Sequence, residues 1–343
     1  MTRVFEDKPA TRERVPTLIG LTGVSSSGKT FSALRLATGI QRAVGGEIFV
    51  IDTEARRATH YADRFSFRHV NFEPPFGPLD YLAAIEHCVS RGAKVLVIDS
   101  MSHEHNGDGG VMDQVDAFLD AKAGDDFAKR QRFGMLAHIK PKAARKKLNR
   151  RILQLGINAV FCYRAADKIK PAAKGAKDRD PVRLGWQPET TSPLVYEMTA
   201  RFLLGPGCEG RPILNPETDA ERNAIKNPIQ FHDLLREGAQ LSEDLGERIA
   251  RWGLGDNAPS VYRDLSERLA CALTESAIEA LVPELSEAKE KRSVSPAEYK
   301  SLRTLYATRL EDVRRPGEPS ASDYDDEPPT PEPDRSALSE EAG

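Results

Sequence analysis

The string Gly-Val-Ser-Ser-Ser-Gly-Lys-Thr at residues 23–30 constrains this chain more than any other feature. It satisfies the pattern G-x-x-x-x-G-K-[ST] through Gly23, Gly28, Lys29 and Thr30, with Val24, Ser25, Ser26 and Ser27 between the glycines. Such a loop works as the joint between a strand and a helix. Its glycines let the backbone wrap phosphate groups, and the N–H groups of the helix start point inward at them. Both neighbours are present here. Residues 17–23, TLIGLTG, read as a buried strand. Beyond Phe31, the residues Ala33, Leu36, Ala37 and Ile40 recur at helical spacing, and Gly45-Gly46 ends the run. The predicted site for a nucleoside triphosphate runs from Gly23 to Phe31. Lys29 would neutralise the β and γ phosphates, and the Thr30 hydroxyl would bind Mg²⁺.

The rest of the first two thirds fits that frame. Apolar runs at 18–21, 48–51, 95–98, 159–163 and 202–204 suit parallel strands buried on both faces. The stretches between them are long enough for crossover helices, which predicts an α/β domain with a mainly parallel central sheet. The expected organisation is a flexible leader at 1–16, an ATPase core at 17–240, a helical C-terminal region at 241–315 and a disordered acidic tail at 316–343. Ser242 and Ser295 read as caps of the outer helices of the C-terminal region.

Two carboxylates complete the predicted chemistry. Val95–Ile98 is an apolar strand that ends in Asp99, the Walker B arrangement, in which the carboxylate supports the magnesium. Hydrolysis also needs a group to activate water. In many AAA+ enzymes a Glu follows the Walker B Asp directly, but here Ser100 stands there. Glu54, at the end of the strand after the glycine-loop helix, falls on the sheet edge where ligands bind in such folds. It is assigned the water-activating role. Its rival is Glu104, within Ser102-His103-Glu104-His105, a cluster whose spacing does not make a metal site.

The strings VIDTEARRATHYADRF and VLVIDS resemble the RecA-type recombinase core, with Glu54 matching that family's catalytic glutamate. AVFCYR looks like the strand leading into the family's second DNA-binding loop, and PETTSPLVYEMTARFLL like the return from it. The combination of IDTEARRATHYAD, NFEPPF and IDSMSHEHNGDGGVMD is similar to the phage-encoded RecA-like ATPases linked to single-strand annealing and recombination. The resemblance covers about residues 15–235. It implies a RecA-like P-loop fold, ATP and Mg²⁺ as cofactors, catalysis by Glu54 with Lys29, and a homo-oligomer, ring or filament. It also implies single-stranded DNA as partner; the polar N-terminus, the scattered cysteines and the lack of a long apolar run lead to an expected cytoplasmic location, a bacterial host's if phage-encoded. One departure stands out: where the family carries a Gln that couples the γ-phosphate to DNA, this chain has Tyr163-Arg164. Arg164 would sense the γ-phosphate by charge.

Charge points the same way. Residues 316–343 carry a net −8 against −3 for the whole chain, which leaves +5 on residues 1–315. Two basic stretches stand out. One includes Lys142, Arg145 and Lys146; the other, a Gly-, Ala- and Pro-rich loop at about 164–190, carries Lys168, Lys170, Lys174, Lys177, Arg179 and Arg183. The loop is expected to be flexible and to order on a phosphate backbone, with Trp186 available to stack on a base. A solvated helix face remains open for the first stretch, and plain solubilisation for the tail. The tail would otherwise bind a single-strand-binding protein or shield the DNA site. Scattered Cys88, Cys162, Cys208 and Cys271 argue against a disulfide framework. No apolar run approaches the ~20 residues of a membrane span. An ATP-gated loader acting through protein partners and a small-molecule P-loop kinase are the alternative readings.

Overall fold

Each of the apolar runs is a strand because its residues alternate between two helical layers. The computed structural model describes residue 7 and residues 13–171, 181–255, 261–290, 293–294 and 296–314. Strands β1 (Leu18–Gly23), β2 (Glu47–Asp52), β3 (Arg68–Asn71), β4 (Ala93–Asp99), β5 (Asn158–Lys170) and β7 (Ala200–Leu204) form one parallel sheet in the order β3-β2-β4-β5-β1-β7. β6 (Val182–Pro188) pairs antiparallel with the far half of β5. The α/β class with a mainly parallel central sheet is therefore the one observed. β3 and β6 were not legible as strands: β3 is an edge strand without a fully buried residue, and β6 lies outside the sheet proper.

Helices cover both faces. α1 (Lys29–Val44) crosses from β1 to β2, and α2 (Pro78–Ser90) from β3 to β4. Four helices then lie between β4 and β5: α3 (His103–Asn106), α4 (Val111–Ala123), α5 (Phe127–Ala137) and α6 (Ile139–Gln154). A short helix, α7 (Asp219–Ala224), follows β7. Ile48 and Val50 point to the face covered by α1, whereas Phe49 and Ile51 point to the face covered by α2 and α6. Ala33, Leu36, Ala37 and Ile40 of α1 are fully buried, as their spacing predicts.

The expected boundary at 240 needs correction. Helix α8 (Glu243–Leu254), capped by Ser242 through its Oγ and the Leu245 N–H, belongs to the core. Leu245, Ile249 and Ala250 pack in the same cluster as β1 and α1. Arg35 reaches Glu243 at 2.6 Å, and the Val15 N–H, from the expected leader, bonds to the Gly253 carbonyl at 2.9 Å. The helices after it, α9 (Val261–Cys271), α10 (Glu275–Glu279), α11 (Val282–Glu290) and α12 (Pro296–Arg314), enclose a separate core around Leu265, Leu269, Ile278 and Leu302. α8 thus packs with the first core and α9 with the second. The buried Arg42 of α1 ties the two parts together, pairing with Glu247 and Asp244 of α8 and Glu298 of α12. Ser295 and the acidic tail lie outside the described residues.

The α1–α8 contact depends on two glycines that let backbones touch. A Cβ at Gly39 would collide with the Glu243 carbonyl, and one at Gly246 with the Leu36 carbonyl. Gly39→Val and Gly246→Val are each expected to destabilise the core by at least ~1–3 kcal/mol. Calorimetry should show a Tm lower by several degrees.

Candidate active site

The sheet register delivers the site residues to one edge. Gly23 at the end of β1 lies beside Arg164 of β5, and Asp52 at the end of β2 lies beside Asp99 of β4. Because β5 separates β1 from β4, Arg164 stands between the glycine loop and Asp99. Gly23, Asp52 and Asp99 end their strands, and Arg164 ends the part of β5 that pairs in parallel; this is the edge at which ligands bind in open α/β sheets.

The loop from Val24 to Gly28 curls over the start of α1. Gly28 takes φ 85°, and Gly210 packs where a Cβ would stand, so no other residue fits there. The Val24 carbonyl accepts from Ser27 Oγ at 2.8 Å and from Lys29 Nζ at 2.7 Å. The ammonium therefore lies inside the rim of its own loop. No side chain caps α1. Its first-turn N–H groups are left without intrahelical partners and open onto the loop, as anion binding requires.

Thr30 Oγ1 donates to Asp99 Oδ2 at 2.6 Å, which joins the first turn of α1 to the end of β4. Hydroxyl and carboxylate are hard oxygen donors of the kind Mg²⁺ takes, one or two per ion beside substrate phosphates. The pair fits that ion. Burial pushes the Asp99 carboxyl up to about 6, with the Thr30 hydrogen bond opposing and the neighbouring Glu54 adding to the rise.

Glu54 stands on a turn that Asp52 holds in place. The buried Asp52 carboxylate accepts the Glu54 N–H at 2.7 Å and the Ala58 N–H at 2.9 Å, and contacts His69 Nε2 at 3.0 Å. Between those amides Ala55 and Arg56 take φ of 55° and 63°, a conformation that costs non-glycine residues about 1–3 kcal/mol each. The Glu54 side chain is bound on both oxygens by Arg164, at 2.9 Å each. His103 Nε2 lies 4.0 Å from it and Arg57 3.8 Å. The rival Glu104 is elsewhere: it is buried in an ion pair with Arg145 at 2.6 Å.

A cavity of about 590 Å³ gathers these groups, lined by Val24, Ser25, Ser26, Gly28, Lys29, Thr30, Glu54, Asp99 and Arg164. Gly23 and Ser27 support the loop from below, and Phe31 packs on Tyr61 at 5.8 Å. Sequence reasoning missed Arg57, His60, Tyr61 and Glu189 in this wall. The helical phase after Glu54 did not reveal them, because the segment is a short 3-10 turn, Arg57–Tyr61, rather than an α-helix.

The expected nucleic-acid residues divide. Lys142 and Lys146 are exposed on α6, and Lys168 and Lys170 on the end of β5. Arg145 is a correction: its guanidinium is buried against Glu104 and Thr191, so it offers nothing to a ligand. Arg183 is half-exposed but paired with Asp167 at 3.0 Å and Glu217 at 3.6 Å. Within the expected flexible loop at 164–190, residues 165–170 and 182–188 are instead paired antiparallel strands that form an arm, and residues 172–180 lie outside the described residues. The arm's strands pair from Ala165↔Pro188 out to Lys170↔Val182, with Trp186 half-buried on it. Lys174, Lys177 and Arg179 lie outside the described residues.

No known family's profile matches the sequence, and no curated protein matches it. Among solved structures the chain is similar to a KaiC-like protein from the hyperthermophilic archaeon Pyrococcus horikoshii. That likeness has 15% identity, covers 57% of this chain and 80% of the other, and gives a TM-score of 0.31. At that value the functional reading rests on the site's own geometry. Among the described residues no helix is long and apolar enough to cross a membrane.

The raised Asp99 has a measurable consequence. As pH falls through about 6 the carboxylate takes up a proton, and a cation must then displace that proton to bind. Calorimetric titration of Mg²⁺ with bound nucleotide should give lower affinity at pH 5.5 than at pH 7.5. Asp99→Asn should remove that difference and bind weakly at both.

Proposed function

We propose that this chain is a RecA-like, Mg²⁺-dependent ATPase that acts on single-stranded DNA in recombination, annealing or repair. The observation that carries the reading is the meeting of Lys29, Thr30, Asp99 and Glu54 around one cavity at the sheet edge. The triphosphate replaces the Val24 carbonyl as the partner of Lys29, while the first-turn amides of α1 hold its oxygens. Thr30 and Asp99 would hold Mg²⁺, which when bound would supply charge neutralisation for the phosphates. The Tyr61 ring, backed by Phe31, offers a flat apolar face for the base.

Glu54 supplies the base for hydrolysis. The water oxygen bonds to the γ phosphorus, the bond from that phosphorus to the ADP oxygen breaks, and the water proton passes to Glu54. The products are ADP and phosphate. Arg164 must first let go of Glu54, and the charge of a γ-phosphate is what draws it away. Arg164 is also the residue from which β5 continues into the arm bearing Lys168 and Lys170. Burial and the charges of Arg145 of α6, Lys168 of the arm and His138 hold His105 below its ordinary pKa. Exposed lysines on α6 and on the arm, beside a nucleotide site, support a phosphate-backbone surface.

The separate core of α9–α12 favours a second reading, an ATP-gated loader that works through protein partners. A chain cut after residue 255 discriminates: DNA binding that survives belongs to the α/β core.

ATP turnover measured with and without single-stranded DNA, at low and moderate salt, tests the proposal. Stimulation with release of ADP and phosphate is expected; unchanged turnover would sink the DNA part. Glu54→Gln should lower kcat by about 10²–10⁴-fold while nucleotide still binds. The double variant Lys168→Ala with Lys170→Ala should weaken DNA binding and flatten its log–log salt slope by roughly 0.7 per lost phosphate contact.

A further inference from the structure

The Ser102-His103-Glu104-His105 cluster is only partly explained by the site above. Among the described residues it forms no metal-holding group, and Glu104 is committed to Arg145. His103 is left over, and it is tightly held. Its ring stacks on Phe76 with centroids 5.1 Å apart and planes at 21°. Its Nδ1 lies 2.7 Å from Thr53 Oγ1. Its Nε2 faces Glu54 Oε1.

Proton accounting settles what Nε2 carries. The Ser100 carbonyl accepts from the Tyr81 hydroxyl at 2.6 Å. Thr53 Oγ1 accepts from the Ser100 N–H at 2.7 Å. A threonine hydroxyl has one proton to give. Its two acceptors are the Ser100 carbonyl at 3.2 Å, already served by Tyr81, and His103 Nδ1 at 2.7 Å. The closer and otherwise unserved acceptor takes it. Burial, with the Arg164 charge adding to it and Glu54, Asp108 and Glu189 opposing, holds the imidazole below its ordinary value, which favours the neutral ring. In a neutral ring whose Nδ1 accepts, the proton sits on Nε2. A chain of donors therefore runs from Tyr81 through Ser100 and Thr53 to His103, and its last N–H looks at Glu54.

We propose that His103 is a positioning residue for Glu54, the fixed donor that aims the carboxylate at water once Arg164 turns to the γ-phosphate. The inference rests on the reading of Glu54 as the water-activating group. At 4.0 Å the contact is longer than a hydrogen bond, and both Glu54 oxygens are held by Arg164. With Arg164 withdrawn, the other neighbour is Arg57, whose side chain is 69% exposed and poorly anchored. His103 is anchored on two sides.

The test uses the full chain with single-stranded DNA, reading kcat, KM for ATP and Tm for His103→Asn, His103→Gln, Glu54→Gln and the double variant His103→Asn with Glu54→Gln. The glutamine amide reaches the level of Nε2; the asparagine amide ends near Nδ1. His103→Asn is expected to lower kcat by roughly 10–100-fold, the scale of a misplaced reacting group, with KM unchanged. His103→Gln should restore most of the loss. The double variant should be no slower than Glu54→Gln alone. Equal losses in the two His103 variants, a parallel rise in KM, or losses that multiply in the double variant would each overturn the role. So would a fall in Tm that accounts for the lost turnover. An inactive Glu54→Gln beside a fully active His103→Asn removes only the His103 role. A fully active Glu54→Gln removes the Glu54 reading itself.

Discussion

The hydrogen bond from Thr30 to Asp99 is the contact on which the rest of the site depends. It spans the position of β5, joining the helix that follows β1 to the tip of β4. The sheet ladder holds the strand ends and Arg164 in register beside it. The carboxylate involved is buried and has its pKa raised. A buried acid next to a hydroxyl stays cheap only while it is hydrogen-bonded. Loss of the bond would leave the carboxylate unsatisfied in a low-dielectric pocket, so the site and the local packing stand or fall together.

Glu54 illustrates how strain is held in place for presentation. Two consecutive non-glycine residues in the left-handed region would relax if free, and Asp52 prevents this by accepting two amides of the same turn. The Asp-x-Glu spacing thus has a structural reading. The first carboxylate faces inward and shapes the backbone, the second faces the cavity, and Thr53 between them reaches the β4 side through Ser100.

Much of this was legible in the sequence, for local reasons. The glycine loop is a continuous string whose geometry follows from its own residue types, and Asp99 and Glu54 sit where apolar runs stop. The buried strands announced themselves because both faces are covered. What was not legible depends on distant partners. Arg145 looked like one cation among several, and only the fold sets it against Glu104 across 41 positions. Helix α8 has the composition of the helices after it, so its membership of the core is visible only in its fit against Gly39 and Leu36 of α1. The arm read as loop because its strands pair with each other rather than with the buried sheet.

β5 is one unbroken strand from the middle of the sheet to the arm, Asn158–Lys170. Its first half is clamped between β1 and β4; its second half pairs, among the described residues, with β6. Arg164 marks the transition. Mechanically this is a lever with its fulcrum at the candidate site's cavity. Six residues of strand at about 3.3 Å each put Lys170 roughly 20 Å from Arg164, so a tilt of about 5° at the fulcrum would carry the arm's end by about 2 Å. A small motion at Arg164, such as the breaking of one ion pair, would thereby be magnified at the far end of the arm.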